Sequence, residues 1–171
     1  MSRKSRRYAL KSSDTKTLLS KAAETLGINL SELIDSKATV EAIETGRGEL
    51  LLVDKKPLLF RTGEMIYPTL MFMEVVAKLP KVVVDMGAVR HVCNGAGVMA
   101  PGIVRYEGDF GKGGLVLVVD VKFEKTLALG EAQFDSEAAK NVKQGVVVKN
   151  VHFVSDEIWN AMKALGEKLE K

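Results

Sequence analysis

Residues 82–102, VVVDMGAVRHVCNGAGVMAPG, constrain the fold of this chain more than any other stretch. They begin with Val82-Val83-Val84, a β-branched run that predicts a strand. The next apolar positions recur at i, i+1, i+4 and i+5, as on one face of a short helix, and are Ala88, Val89, Val92 and Cys93. Asn94-Gly95 predicts the end of that helix, because both residues tolerate the left-handed conformation. Four glycines and one proline in 21 residues predict fixed turns and close approach of the backbone to a ligand.

Two other interpretations fit the pattern of this stretch. A compact strand, helix and turn without any ligand explains the same pattern. Residues 95–100, GAGVMA, also fit the G-x-G-x-x-[GA] fingerprint of dinucleotide-binding sites. That fingerprint requires a strand directly before it and a helix opening within it, so that the pyrophosphate lies at the helix N-terminus. Here a predicted helix precedes it and Pro101-Gly102 ends the segment, so we reject a dinucleotide site.

The composition is that of an ordinary globular protein, with 171 residues of which 46% are hydrophobic and 27% charged. This length allows one or two domains. The single cysteine, Cys93, excludes an internal disulfide and a cysteine-based zinc site, and it is typical of a reducing compartment, so we expect a cytoplasmic protein. Residues 1–16 carry six Lys and Arg side chains against one Asp. This basic arm either tracks phosphates or is simply a solvated terminus.

The first part of the chain predicts an α+β N-terminal domain over residues 1–79. Apolar residues repeat at helical spacing before Gly27, and from residue 39 the pattern changes to the alternation of strands. Short turns separate strands over residues 39–44, 49–53 and 57–61, which predicts a β-meander. Tyr67-Pro68 then predicts a helix over residues 70–79, with proline in its first turn, and Pro80 ends it.

The second part, residues 80–171, predicts several short strands with glycine-rich turns and little helix. Residues 103–106, 115–123 and 126–134 predict strands, and two brief strands follow over residues 145–148 and 151–154. A last helix begins near Ser155-Asp156. Such a pattern is typical of a small closed barrel. The predicted fold class is therefore an α+β N-terminal domain followed by a small mixed β-barrel domain.

These residues resemble a known family. Residues 95–103, GAGVMAPGI, are similar to the G-A-x-V-M-x-P-G-I signature of the PUA domain, a pseudo-barrel named for pseudouridine synthases and archaeosine transglycosylases. Residues 66–70, IYPTL, and residues 150–153, NVHF, with Asp156 and Trp159, resemble the malignant T-cell-amplified sequence family and the related ligatin-type translation factors. The resemblance implies a non-enzymatic protein that binds structured RNA, tRNA or rRNA, and that acts in translation beside the small ribosomal subunit or a translation-factor partner.

The resemblance also implies where RNA binds. In PUA domains the short helix, the Gly-Ala turn and the following strand form an RNA-binding groove. Transferred to this chain, the groove residues are Gly87, Ala88, Gly95, Ala96, Val98, Met99, Pro101 and Gly102. Glycine and alanine let a sugar–phosphate backbone come close to main-chain N–H groups. Arg90 and Arg105 are the expected phosphate partners, or else ordinary solvated arginines; Val98 and Met99 either contact a base or ribose or belong to the core.

Other functions are weaker interpretations of the sequence. His91 and His152 are far apart and lack a matched cluster of ligands, so we expect no metal and no cofactor. No nucleophile, base and orienting group can be assembled, which disfavours an RNA-modification enzyme. A protein–protein adaptor remains the alternative to an RNA-binding protein, because the apolar residues 70–79 and the Tyr67-Pro68 corner could dock a partner as well as a neighbouring domain.

Overall fold

The computed structural model of the protein describes residues 5–169, so Arg3 and Lys4 of the basic arm lie outside the described residues. Residues 7–9 of that arm form an edge strand, and Arg6 and Arg7 are paired with glutamates. Arg7 Nε lies 2.7 Å from Glu41 Oε2, and Arg6 Nη1 lies 3.9 Å from Glu44 Oε1. The arm is therefore bound to the first sheet, and its described charges are already partly compensated.

The first sheet confirms the predicted meander and adds a strand at each edge. Its order is β1-β2-β3-β4-β5, all antiparallel, with bounds Arg7–Ala9, Val40–Thr45, Gly48–Val53, Lys56–Thr62 and Met65–Pro68. Helix α1 (Ser12–Leu26) packs Leu18 and Ala22 into the core of this sheet, and it ends at Gly27, whose φ is +65°. The short 3-10 turn Leu30–Glu32 follows.

The predicted helix over residues 70–79 is wrong. Tyr67 and Pro68 end strand β5, and only Met73–Val76 forms a helix, α2. Proline has no backbone N–H to donate. The end of an edge strand does not require that donor, so proline fits there as well as in the first turn of a helix. Thr69 fixes the bend that follows, because its buried hydroxyl donates to the Pro57 carbonyl at 2.7 Å.

The second sheet is the mixed barrel. Its order is β7-β11-β10-β9-β6-β8, with bounds, from β6 to β11, of Lys81–Val84, Val98–Met99, Ile103–Glu107, Leu115–Asp120, Thr126–Ala132 and Val146–Phe153. Strand β6 runs parallel to β9 and antiparallel to β8. The two brief strands predicted over residues 145–154 are one continuous strand, β11. Helices α3 (Met86–Val92) and α4 (Ser136–Ala139) pack beside the sheet, which confirms the predicted fold class.

A shared apolar core joins the two sheets. The last helix, α5 (Glu157–Leu169), inserts Ile158 and Met162 between them, where both side chains are buried. This core takes Leu50, Leu52, Phe60, Tyr67, Leu70 and Val76 from the first domain, and Val83, Leu117, Val119 and Leu129 from the barrel. Among residues 5–169, no helix is long and apolar enough to cross a membrane.

A buried polar pair lies in this shared core. His152 Nδ1 is 2.7 Å from Asp156 Oδ2, and both side chains are almost completely excluded from solvent. The carboxylate also accepts amide hydrogen bonds from Trp159 at 2.7 Å and Phe153 at 3.0 Å. Burial by itself would raise the pKa of Asp156, but the hydrogen bond and charge of His152, with the two amide donors, outweigh burial and lower it.

We expect Asp156→Asn to lower the free energy of unfolding at neutral pH by about 1.5–3 kcal/mol, which is typical of hydrogen bonds to a charged group. Because the folded pKa lies below the ordinary 3.8, the stabilisation is complete above that value and is lost as the pH falls through the folded pKa. Urea denaturation should therefore give free energies of unfolding for the parent and the variant that converge as the pH falls below 3.8. The exposed Asp109→Asn variant is the control. Equal stabilities of the parent and Asp156→Asn at neutral pH would contradict a stabilising role of the buried Asp156 carboxylate.

Candidate nucleic-acid interface

A groove with a volume of about 620 Å³ lies between helix α3 and strand β7, at one end of the barrel. Seven of the ten predicted site residues line it: Gly87, Ala88, Ala96, Val98, Met99, Pro101 and Gly102. Its lining also includes residues that the sequence analysis did not place in the site, namely Asp85, His91, Val92 and Gly97. The structure thus brings together the helix, the turn and the strand that the sequence pattern singled out.

Asp85 fixes one wall of the groove. Its side chain accepts a hydrogen bond from the Ala88 amide at 2.9 Å and so caps the start of α3. Its own amide donates to the Gly102 carbonyl at 2.9 Å, which ties the helix to the 3-10 turn Ala100–Gly102. A Cβ atom at Gly102 would lie 3.2 Å from that of Ala88, so glycine allows this turn to lie directly against the helix. The cap confirms the role predicted for an aspartate directly before a helix, whereas the place of Asp85 in the groove lining was not predicted.

Asn150 on β11 fixes the opposite wall. Its amide nitrogen donates to the carbonyls of Val92 at 3.0 Å and Ala96 at 3.1 Å, and so holds the turn that links α3 to β7. Gly97 belongs to the same contact, because a Cβ atom there would lie 2.9 Å from Val146 Cγ1. The absence of a side chain at position 97 therefore serves the packing of β7 against β11. Asn150 belongs to the NVHF motif of the resemblance, but this role could not be predicted, since its partners are 58 and 54 residues away.

Gly95 has the predicted left-handed conformation, with φ of +92°, but it does not line the groove. A Cβ atom at this position would meet the Phe153 ring at 3.0–3.1 Å. Glycine suits this position for two reasons: it adopts the positive φ without strain, and it leaves room for the Phe153 ring. Contact of Gly95 with RNA stays a prediction, and its substitution would disturb the fold as well as binding.

Val98 and Met99 have opposite environments, because successive side chains of a strand point to opposite faces. Val98 is 2% exposed and belongs to the barrel core, whereas Met99 is 49% exposed. Met86, at the start of α3, is 43% exposed. Val98 is therefore a core residue. Of the two, only Met99 presents an apolar side chain that a base or ribose can contact.

The two predicted arginines lie beside the groove and not in it. Arg90 is exposed on α3. Arg105 lines an adjoining cavity of about 460 Å³, together with Lys140 and Lys143, and Pro101 belongs to the linings of both cavities. We call these three cations the basic shelf. Arg105 lies 3.6 Å from both Glu107 and Glu124, so its charge is partly compensated.

A third cavity, of about 530 Å³, is lined by residues of both domains. Its charge is opposite to that of the basic shelf. Its lining includes four carboxylates, Glu32, Glu74, Asp109 and Glu131, and one lysine, Lys78. Burial, with a smaller contribution from the charge of Glu131, raises the pKa of Tyr67 in this lining. Such a surface repels phosphate, so the groove and the basic shelf are the better nucleic-acid surface. Within residues 5–169, no three His, Cys, Asp or Glu side chains are grouped as a metal site requires.

Two family profiles match consecutive parts of the chain. A profile described as "PUA domain" matches residues 80–154, and one described as "Domain of unknown function (DUF1947)" matches residues 6–74. An uncharacterized protein of Methanocaldococcus jannaschii is 37% identical over 158 residues, which are 91% of this chain and 96% of that protein.

A named relative and a solved structure agree with this assignment. Translation machinery-associated protein 20 of Saccharomyces cerevisiae is 31% identical over 142 residues, 77% of each chain. The crystal structure of a hypothetical protein of Pyrococcus horikoshii OT3 is similar with a TM-score of 0.73 and 32% identity, and it covers 92% of this chain and 99% of that one. The chain therefore belongs to the family of PUA-domain proteins that includes translation machinery-associated protein 20 and the malignant T-cell-amplified sequence proteins.

Proposed function

We propose that the protein binds structured RNA, tRNA or rRNA, in the groove between α3 and β7, and that it acts in translation without catalysing a reaction. The observation that carries this proposal is the groove wall formed by Gly87, Ala88 and Gly102. A Cβ atom at Gly87 would have only one neighbour within 4 Å, Asp85 Oδ1 at 3.4 Å, so open space lies over the start of the helix. A sugar–phosphate backbone can approach the main chain closely there.

The charges around the groove support binding of a polyanion. RNA lying in the groove and crossing Pro101 would reach the basic shelf, where Lys143 and Lys140 are exposed. Lys140 lies 3.1 Å from Glu137 in an exposed pair that contributes little energy and can exchange partners. Arg90 is exposed on α3, the helix whose residues Gly87, Ala88 and His91 line the groove. Phosphate contacts position the nucleic acid, so these cations set affinity and orientation rather than sequence preference.

The cellular setting is inferred from the relatives. Translation machinery-associated protein 20 is named for the translation machinery, and this chain covers 77% of it. We infer a cytoplasmic role at the small ribosomal subunit or with a translation-factor partner. The adaptor alternative is favoured by one observation, the acidic cavity between the domains, where Leu33 and Met65 are each 41% exposed. Salt dependence separates the two, because phosphate binding weakens steeply with salt whereas apolar docking does not.

Gly87→Glu is the first test of the groove. It places a long anionic side chain in the open space while favouring the helix, because glutamate has a higher helix propensity than glycine and a negative charge suits a helix start. We expect an affinity for tRNA at least tenfold weaker with no loss of thermal stability. Gly87→Gln has the same length without the charge and should weaken binding less.

Gly166→Glu is the matched control for this test, because Gly166 also lies within a helix and has nothing within 4 Å of an added Cβ. It changes the net charge equally but lies on α5. Anisotropy titrations of labelled tRNA would measure the affinities. Parent-like binding by Gly87→Glu, or equal losses in the Gly87→Glu and Gly166→Glu variants, would contradict the groove.

Lys143→Gln tests the basic shelf. If the ammonium group meets a phosphate, the variant should bind all tested RNAs more weakly, and the slope of log affinity against log salt should fall by about one. Arg90→Gln is expected to behave in the same way. The exposed Lys37→Gln variant of the first domain is the control with the same charge change, and it should match the parent. Unchanged slopes in the Lys143 and Arg90 variants would place the phosphates elsewhere.

A further inference from the structure

An exposed aromatic side chain marks the turn of residues 121–125, which joins β9 to β10. Phe123 is 60% exposed, the most exposed of the large hydrophobic side chains in the described part of the chain. Burying a phenylalanine normally contributes favourably to folding, so a ring held in solvent needs another explanation. Neither the groove nor the basic shelf includes this residue.

The turn that carries Phe123 is rigidly held. Asp120 is 2% exposed and accepts hydrogen bonds from the amides of Phe123 at 2.5 Å and Lys125 at 3.0 Å. The hydrogen bond from Phe123, and then that from Lys125, lower the pKa of Asp120, so the carboxylate stays ionised. The Glu124 amide also donates to the Asp120 carbonyl at 3.1 Å. The ring is thus presented on a fixed backbone, which lowers the entropy cost of contacting a ligand.

Two lysines surround the ring. Lys122 Nζ lies 5.1 Å from the ring centroid and Lys125 Nζ lies 5.8 Å from it. An aromatic ring with two cations beside it matches the chemistry of a nucleotide, whose base stacks and whose phosphates are anionic. A partner protein with an apolar docking surface would need to bury both ammonium groups, which is costly.

The turn lies at the same end of the sheet as the groove. Strand β6 pairs with β9 so that Val84 faces Asp120, and the Val121 amide donates to the Val84 carbonyl at 2.9 Å. Val84 directly precedes Asp85, which lines the groove. The ion pair of Arg105 with Glu124 also connects the turn to the basic shelf. Groove, shelf and turn therefore form neighbouring parts of one surface.

We propose that Phe123 stacks on one unpaired base of the RNA that the groove binds, while Lys122 and Lys125 bind the phosphates next to that base. This inference rests on the proposed function and adds an aromatic contact that lies outside the groove and the basic shelf. A flat ring accepts any base, so the contact contributes affinity without sequence preference.

The test compares two RNA probes with the full chain. One is a tRNA acceptor-stem mimic with an unpaired 3′ tail, and the other is the same duplex with a blunt end. Phe123→Leu keeps an apolar side chain and removes the aromatic face, whereas Phe123→Trp keeps a face. We expect Phe123→Leu to weaken binding of the tailed probe roughly tenfold with little effect on the blunt probe, and Phe123→Trp to bind as the parent does.

Met71→Ala is the control, because Met71 is 42% exposed on the first domain and its truncation removes an exposed apolar side chain elsewhere. A tail with 5-iodouridine provides a direct readout, since irradiation should crosslink it to the peptide that contains Phe123. Parent-like binding by Phe123→Leu, or an equal loss for both probes, would overturn the stacking contact. If Gly87→Glu still weakens binding in that case, the proposed function stands alone; if the parent binds neither probe, nor tRNA, nor rRNA, both proposals fail.

Discussion

The end of strand β6 is the point on which the rest of the barrel surface depends. Val84 is buried between the two strands that flank β6, and the next residue, Asp85, leaves the sheet with both its amide and its carboxylate bonded. The carboxylate starts helix α3, and the amide holds the turn Ala100–Gly102 against that helix. Because β6 also pairs with β9, the same strand end fixes the turn that carries Phe123. One junction therefore positions the groove, the shelf and the exposed ring together.

Much of this arrangement could be predicted from the sequence because its signals are local. Val82-Val83-Val84, the helical spacing of Val89 and Val92, and the left-handed Gly95 all follow from residues within a turn or two of each other. The barrel strands were predicted for the same reason. The prediction was wrong at Tyr67-Pro68, because this pair fits both the end of a strand and the start of a helix. In the structure it ends β5, the fifth strand of the first sheet, and the buried Thr69 hydroxyl donates to the Pro57 carbonyl directly after that strand.

The parts that could not be predicted depend on contacts between distant residues. Gly95 looks like a ligand-facing glycine in the sequence, yet the ring of Phe153, on β11, occupies the space beside it. Gly87 and Gly102 look the same in the sequence and do line the groove. The charge of Arg105 is likewise compensated by Glu124, which only the fold brings within 3.6 Å. A pattern identifies a glycine or an arginine, but the neighbour that decides its role comes from another strand.

Strand β11 connects the groove to the shared core of the two domains. Its first half meets β7 through Val146 and Val148, and Asn150 holds both ends of the turn after α3. Two residues later, His152 bonds to Asp156 and packs against Phe60 of the first domain, with ring centroids 5.1 Å apart. A β-bulge lies between these two positions, because Leu129 pairs with His152 and Gly130 pairs with Asn150, which leaves Val151 as the extra residue of β11. On either side of this bulge, Asn150 fixes the groove wall and His152 packs into the core shared with the first domain, so one strand contributes to both the site and the domain contact.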